Sequence, residues 1–251
     1  MLPMLIAFAA AFGLLIGSFL NVVAYRLPAG VSVAAGRSEC PSCHHQIRAY
    51  DNVPVLSWLL LRGRCRDCSA PISRRYPLVE ALTAVLWALV AAIADSTAQA
   101  VLGIVMVTAL VPITLIDLDH RRIPNAITLP TAIAAIAVGT ALDPSGQVER
   151  LIAGAAAFAF LLVPAIVRPD GMGMGDVKLA GVLGLCLGAP VAVGILVALV
   201  VGSVAGAVIA ARKGVAGARK TTIPFGPYLA LGGVVAFVAG QPLIDAYLTT
   251  F

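Results

Sequence analysis

Residues 98–116 read AQAVLGIVMVTALVPITLI, an apolar run without a charged side chain that ends directly on Asp117. About 20 such residues, wound as a helix, cross the roughly 30 Å hydrocarbon core of a bilayer. Working outward, the same reading applies to Leu2–Val23, Leu78–Ala94, Ala126–Leu142, Leu151–Val167, Val177–Leu187, Val191–Ala211 and Tyr228–Leu248, of which Val177–Leu187 is short. Composition agrees: 60% of the 251 residues are hydrophobic, 12% are charged and the mean hydropathy is +0.99. A soluble domain carries about a quarter charged residues, so an ordinary soluble enzyme is excluded. The expected fold is an all-α polytopic membrane protein of about eight transmembrane helices. The first run has no basic region before it and no A-x-A site after it, and reads as a retained span. Abundant Gly and Ala in the runs suit close helix contact in lipid.

Between the first two runs, residues 26–77 break the pattern with eight arginines, four cysteines and no apolar stretch long enough to cross. The boundaries expected from this are a first transmembrane helix over 1–25, an extramembrane domain over 26–77 and a transmembrane domain over 78–251. Of the 17 Lys and Arg residues, 16 fall in the insert or in the connections after the third, fifth and seventh runs, and only Arg150 lies on the other side. The positive-inside rule therefore places the insert in the cytoplasm and both termini outside, in a multi-pass protein surrounded by membrane lipid. The formal charge of +5 is no nucleic-acid footprint, because the basic residues are spread between apolar runs and form no single patch.

Cys40-Pro-Ser-Cys43 and Cys65-Arg-Asp-Cys68 are two C-x2-C pairs with 21 residues between them. Each pair offers two thiolates from one tight turn, and the two together close a tetrahedron around structural zinc. A pair of disulfides or redox couples is the competing reading, disfavoured in a reducing cytoplasm. His44 and His45 stand beside the set as replacement ligands, although four cysteines already fill the shell. Cys186, inside an apolar run, reads as a small buried side chain. So short an insert draws much of its folding energy from the metal.

Two carboxylates remain. Asp117 closes the third run, and Asp176 ends the glycine-rich turn Gly171-Met-Gly-Met-Gly-Asp176 before the sixth. Asp176 lies 59 positions after Asp117, room for two crossings, which return the chain to the same face. A carboxylate embedded in a membrane costs up to about 2.5–3.5 kcal/mol at mid-bilayer on insertion scales, so such acids usually line a cavity or serve a site. Brought within a few ångströms, the two would share a proton, one activating water as base and the other protonating the leaving amine. Asp176 also reads as a helix N-cap, which is the plain structural alternative. Asp119, His120, Arg121 and Arg122 read as a solvated loop.

With these residues in view, the chain resembles the type IV prepilin peptidases, membrane aspartic proteases with a GxGD motif, in their bifunctional leader peptidase/N-methyltransferase form. The likeness is carried in order by GSFLNVVAYRLP (17–28), CPSC (40–43), NVPVLSWLLLRGRCRDC (52–68), ISRRYPLVE (72–80), LIDLDHRRIPNAITLP (115–130), GMGMGDVKLAG (171–181) and IPFGPYLALGG (223–233). The resemblance implies Asp117 and Asp176 as catalytic aspartates, zinc on Cys40, Cys43, Cys65 and Cys68, and S-adenosylmethionine as methyl donor. It implies a substrate too: a prepilin or pseudopilin of type IV pilus or protein secretion systems, with a basic leader, a glycine before the scissile bond and an apolar helix beyond. The place implied is the inner (cytoplasmic) membrane. No glycine-rich strand-to-helix turn announces a donor site, and Gly63 is the candidate for a tight backbone position in that domain. The chain departs from the family pattern in its short Ala29–Glu39 connection and in Pro124-Asn125, where Pro-Asp is frequent. From the residues alone, a transporter or membrane scaffold with a zinc-knuckle docking domain stays open, in which the aspartates bind an ion or pair with Arg121, Arg122 or Lys178.

Overall fold

The computed structural model describes residues 1–34, 36–167, 171–219 and 223–250. Arg168 and Lys220 of the charge count, and Ala35 of the short connection, lie outside the described residues. The chain forms two compact units, residues 1–93 and 94–251.

In the first unit, α1 (Leu2–Arg26) and α3 (Arg75–Ile93) pack side by side and bracket the insert. Glycine makes the close approach possible: a Cβ at Gly17 would lie 2.8 Å from the Glu80 Cα. Asn21 of α1 donates its amide to the Tyr76 and Gly17 carbonyls, so a buried polar group is satisfied at the seam. The insert carries the short helix α2 (Leu56–Leu60) and two matching knuckles. In the first, the His44 N–H donates to the Cys40 carbonyl and the Cys40 N–H to the His45 carbonyl; in the second, Ser69 and Cys65 repeat this with Cys65 and Ala70. His44 and Ser69, each following the second cysteine, both take positive φ to close the turn.

The second unit holds α4 (Thr97–His120), α5 (Asn125–Leu142), α6 (Pro144–Val167), α7 (Met174–Leu187), α8 (Val191–Arg219) and α9 (Gly226–Leu248). Ser96 caps α4 by accepting from the Gln99 N–H. Seven helices of the described residues are long and apolar enough to span a membrane: α1, α3, α4, α5, α6, α8 as far as Gly214, and α9. The sixth apolar run differs from the other seven in kind. At 14 residues α7 is about 21 Å long, short of a full hydrocarbon core. Eight of its residues are buried, and it packs against α4, α5, α6 and α9 as a core helix. A Cβ at Gly184 would meet the Gly154 Cα and N at 2.6 Å, so α6 and α7 touch backbone to backbone.

Candidate active site and metal centre

Asp117 sits in the last turn of α4 and is 5% exposed. Arg121 ends the helix in the left-handed conformation, its N–H donating to the Asp117 carbonyl at 2.8 Å. The Asp117 side chain meets the start of α9: the Gly226 N–H donates to its Oδ2 at 2.9 Å. Helix N-termini present unpaired N–H groups, and such a group stabilises an anion. The approach requires glycine, because a Cβ at Gly226 would lie 2.7 Å from that oxygen. Gly226 is a site residue that the sequence reading quoted without a role; its signal was the Gly-Pro opening an apolar run straight after Pro224-Phe225.

Asp176 lies in the first turn of α7. The N-cap of that helix is Gly173, so Asp176 is not the cap and stands three residues inside it. A Cβ on Gly173 would lie 3.2 Å from Asp176 Oδ2, so the carboxylate folds back on the cap residue, the geometry of a capping box. Gly175 packs on Ile123 of the α4–α5 turn. This brings Asp176 within electrostatic reach of Asp117, the one charge that acts on it among the described residues. Lys178 turns away, its Nζ donating to Asn125 Oδ1 at 3.0 Å. The Asn at the departure from the family pattern thus ties α5 to α7. Asp119, His120, Arg121 and Arg122 are exposed.

In the insert, the sulfurs of Cys40, Cys43, Cys65 and Cys68 all lie within 4.8 Å of one another, with Cys40 and Cys68 at 3.8 Å. Four thiolates at about 2.3 Å from a zinc ion stand roughly 3.8 Å apart, so the cluster fits tetrahedral zinc. All five cysteines are free thiols. His44 faces Glu39 at 3.8 Å and stays outside the set. The Cys43 and Ser42 N–H groups hold the Cys40 thiol down at about 6. Cys68, although the Ala70 N–H favours its thiolate, is pushed up to about 12 by desolvation and by the three neighbouring sulfurs. Four sulfurs so close ionise together only around a cation. Gly63 is buried with φ +67, and a Cβ there would lie 2.8 Å from the Trp58 ring. The Trp58 Nε1–H donates in turn to the Ile72 carbonyl. Cys186 is buried in α7.

Two carboxylates within electrostatic reach of one another at helix ends are an arrangement that aspartic peptidase chemistry can use. Comparison with known proteins supplies the family. Residues 11–94 match the bacterial peptidase A24 N-terminal domain, and residues 104–211 match the type IV leader peptidase family. A prepilin leader peptidase/N-methyltransferase of Stutzerimonas stutzeri is 36% identical, the match covering 96% of this chain and 92% of that protein. A type 4 prepilin-like proteins leader peptide-processing enzyme of Escherichia coli O78:H11 is 38% identical over 88% of this chain and 89% of its own length. A second prepilin leader peptidase/N-methyltransferase, from Aeromonas hydrophila, is 37% identical over 96% and 92%. No solved structure matches the chain. The chain belongs to the type IV leader peptidase family and is an aspartic peptidase of the multi-pass membrane kind.

Proposed function

We propose that the protein cleaves the basic leader of type IV prepilins or pseudopilins after a glycine, at the cytoplasmic face of the inner membrane, with Asp117 and Asp176 as its catalytic pair. The observation that carries this is the burial of Asp117 against the α9 N-terminus with Asp176 within electrostatic reach of it. One carboxylate takes a proton from water as its oxygen attacks the scissile carbonyl. The other, protonated, donates to the carbonyl oxygen, and the collapse of the tetrahedral intermediate returns a proton to the leaving amine. The Gly226 N–H fixes one oxygen of Asp117 and orients the other. An ion-binding or pairing role for the aspartates has less support, since Lys178 is engaged by Asn125 and Arg121 and Arg122 are exposed.

An open cavity of about 490 Å³ between α5, α6 and α7 begins at Asn125 and Lys178, two residues past Asp176, and continues along Val182, Leu185 and Phe158. Its apolar wall suits the apolar segment that follows the scissile bond. The names of the relatives add a second activity, N-methylation of the new N-terminal residue. S-adenosylmethionine, when bound, supplies the electrophilic methyl group for that amine. Gly63 serves this step by keeping the backbone corner under Trp58 tight, and zinc on the four cysteines holds the insert folded.

The test is co-expression with a prepilin and mass measurement of the product N-terminus. The expected product starts directly after the glycine and carries one added methyl group. An uncut substrate contradicts the peptidase reading; a cut, unmethylated one removes only the second activity.

A further inference from the structure

The insert exposes an apolar ridge that neither the metal centre nor the aspartates use. Val53 is 44% exposed, Leu56 53%, Leu59 58% and Leu60 73%. Three leucines in one turn of α2 point away from any core, in a segment that is too polar overall to cross a membrane. Arg62, Arg64 and Arg74 flank the ridge in sequence, are exposed and make no ion pair among the described residues. Two further arginines of the insert are neutralised, Arg66 by Asp51 at 2.6 Å and Arg48 by Asp67 at 3.0 Å. The insert thus carries exposed leucines on α2 together with three exposed arginines that no carboxylate neutralises among the described residues.

Two bonds fix where the ridge sits. The Val55 N–H donates at 2.7 Å to Oε2 of Glu80, which is buried on α3, and Val55 takes φ +60 to do so. Trp58, one turn later, is tied to the Ile72 carbonyl just before α3 begins. Glu80 stands about 7.5 Å along α3 from its start, beyond the first residues of the apolar run. The ridge is therefore held level with the point where α3 begins to show apolar side chains outward, Leu78 at 67% and Leu82 at 52% exposed. An apolar surface continuous in height with a membrane-spanning helix, in an insert that also exposes unpaired arginines, matches the acyl and headgroup boundary of a bilayer with anionic lipid.

We propose that Val53, Leu56, Leu59 and Leu60 form an interfacial membrane anchor, which docks the metal-binding insert onto the headgroup layer through apolar insertion and through Arg62, Arg64 and Arg74. The occupant of the ridge is phospholipid. The Val55–Glu80 bond sets its depth, so the two knuckles are carried beside the membrane surface on a rigid arm. This anchor does not depend on the peptidase reading, because it rests on the first compact unit alone.

The experiment uses the full, metal-loaded chain in nanodiscs of phosphatidylethanolamine and phosphatidylglycerol. A diazirine-bearing residue replaces Leu59 or Leu60, with Leu82 as the lipid-facing reference and Asp67 as the aqueous one. After irradiation, phospholipid adducts at positions 59 and 60 should approach the yield at 82 and exceed that at 67 by at least about tenfold, as expected for side chains below the headgroups. Adduct yields no higher than at Asp67, or adducts predominantly to protein, overturn the proposal. A second measurement keeps the ridge native: with Trp87→Phe, the Trp58 emission should be quenched by phospholipids brominated high on the acyl chain. Emission unaffected by these lipids contradicts the anchor.

Discussion

Gly226 shows how much a single missing side chain decides. Its N–H reaches Asp117 because no Cβ stands in the way, so Gly226→Ala pushes the α9 N-terminus off the carboxylate. A displacement of about 1 Å at a reacting group can cost around a hundredfold in rate, and a loss of that order in kcat is expected with little change in membrane content. A peptide-cleavage assay on purified protein checks it. The different surroundings of Asp117 and Asp119 were legible in sequence, since only the first directly follows the apolar run, and the structure buries the first and exposes the second. What could not be read was the cap of α7. A Gly-x-Gly-Asp turn permits a helix to start at several positions, and the choice of Gly173 depends on where Gly175 packs against Ile123, a contact 52 residues away in sequence.

The helix α7 and the cysteine knuckles carry the lesson at the scale of elements. Composition marks Val177–Leu187 as apolar, yet length alone separates a lipid-facing span from a core helix, and the 14 residues of α7 fall with the second. Its packing on α6 runs through Gly184 and Gly154. Gly184→Leu should therefore separate the two helices and lower the thermal midpoint in detergent, with an overpacking cost of about 1–3 kcal/mol or more. The cysteine spacing was sufficient to foresee that the four sulfurs gather into one cluster of a size that fits zinc, because each C-x2-C turn brings two thiols together. Cys40→Ser is expected to abolish stoichiometric zinc on metal analysis and to expose the insert to protease, while residues 94–251 stay protected. Gly63 is less legible, as a turn glycine and a cofactor position look alike in sequence, and the contact that makes a side chain impossible there comes from Trp58, five residues away.

At the scale of the molecule, the helical membrane architecture was open to reading because hydropathy obeys physics that needs no tertiary contact. The shared face of the two aspartates follows from α5 and α6, both long enough to cross, and is independent of how α7 is counted. The polar insert ends at residue 77 in sequence, whereas α3 pairs with α1, so the compact units divide after residue 93. The direct test of the whole account is cleavage of a prepilin by the purified chain in nanodiscs, comparing the parent with Asp117→Asn and Asp176→Asn. Each variant should remain folded and membrane-inserted while cleavage falls by at least about 10²–10⁴-fold, the contribution of a general acid or base. Cleavage at the parent rate by either variant would contradict the catalytic pair.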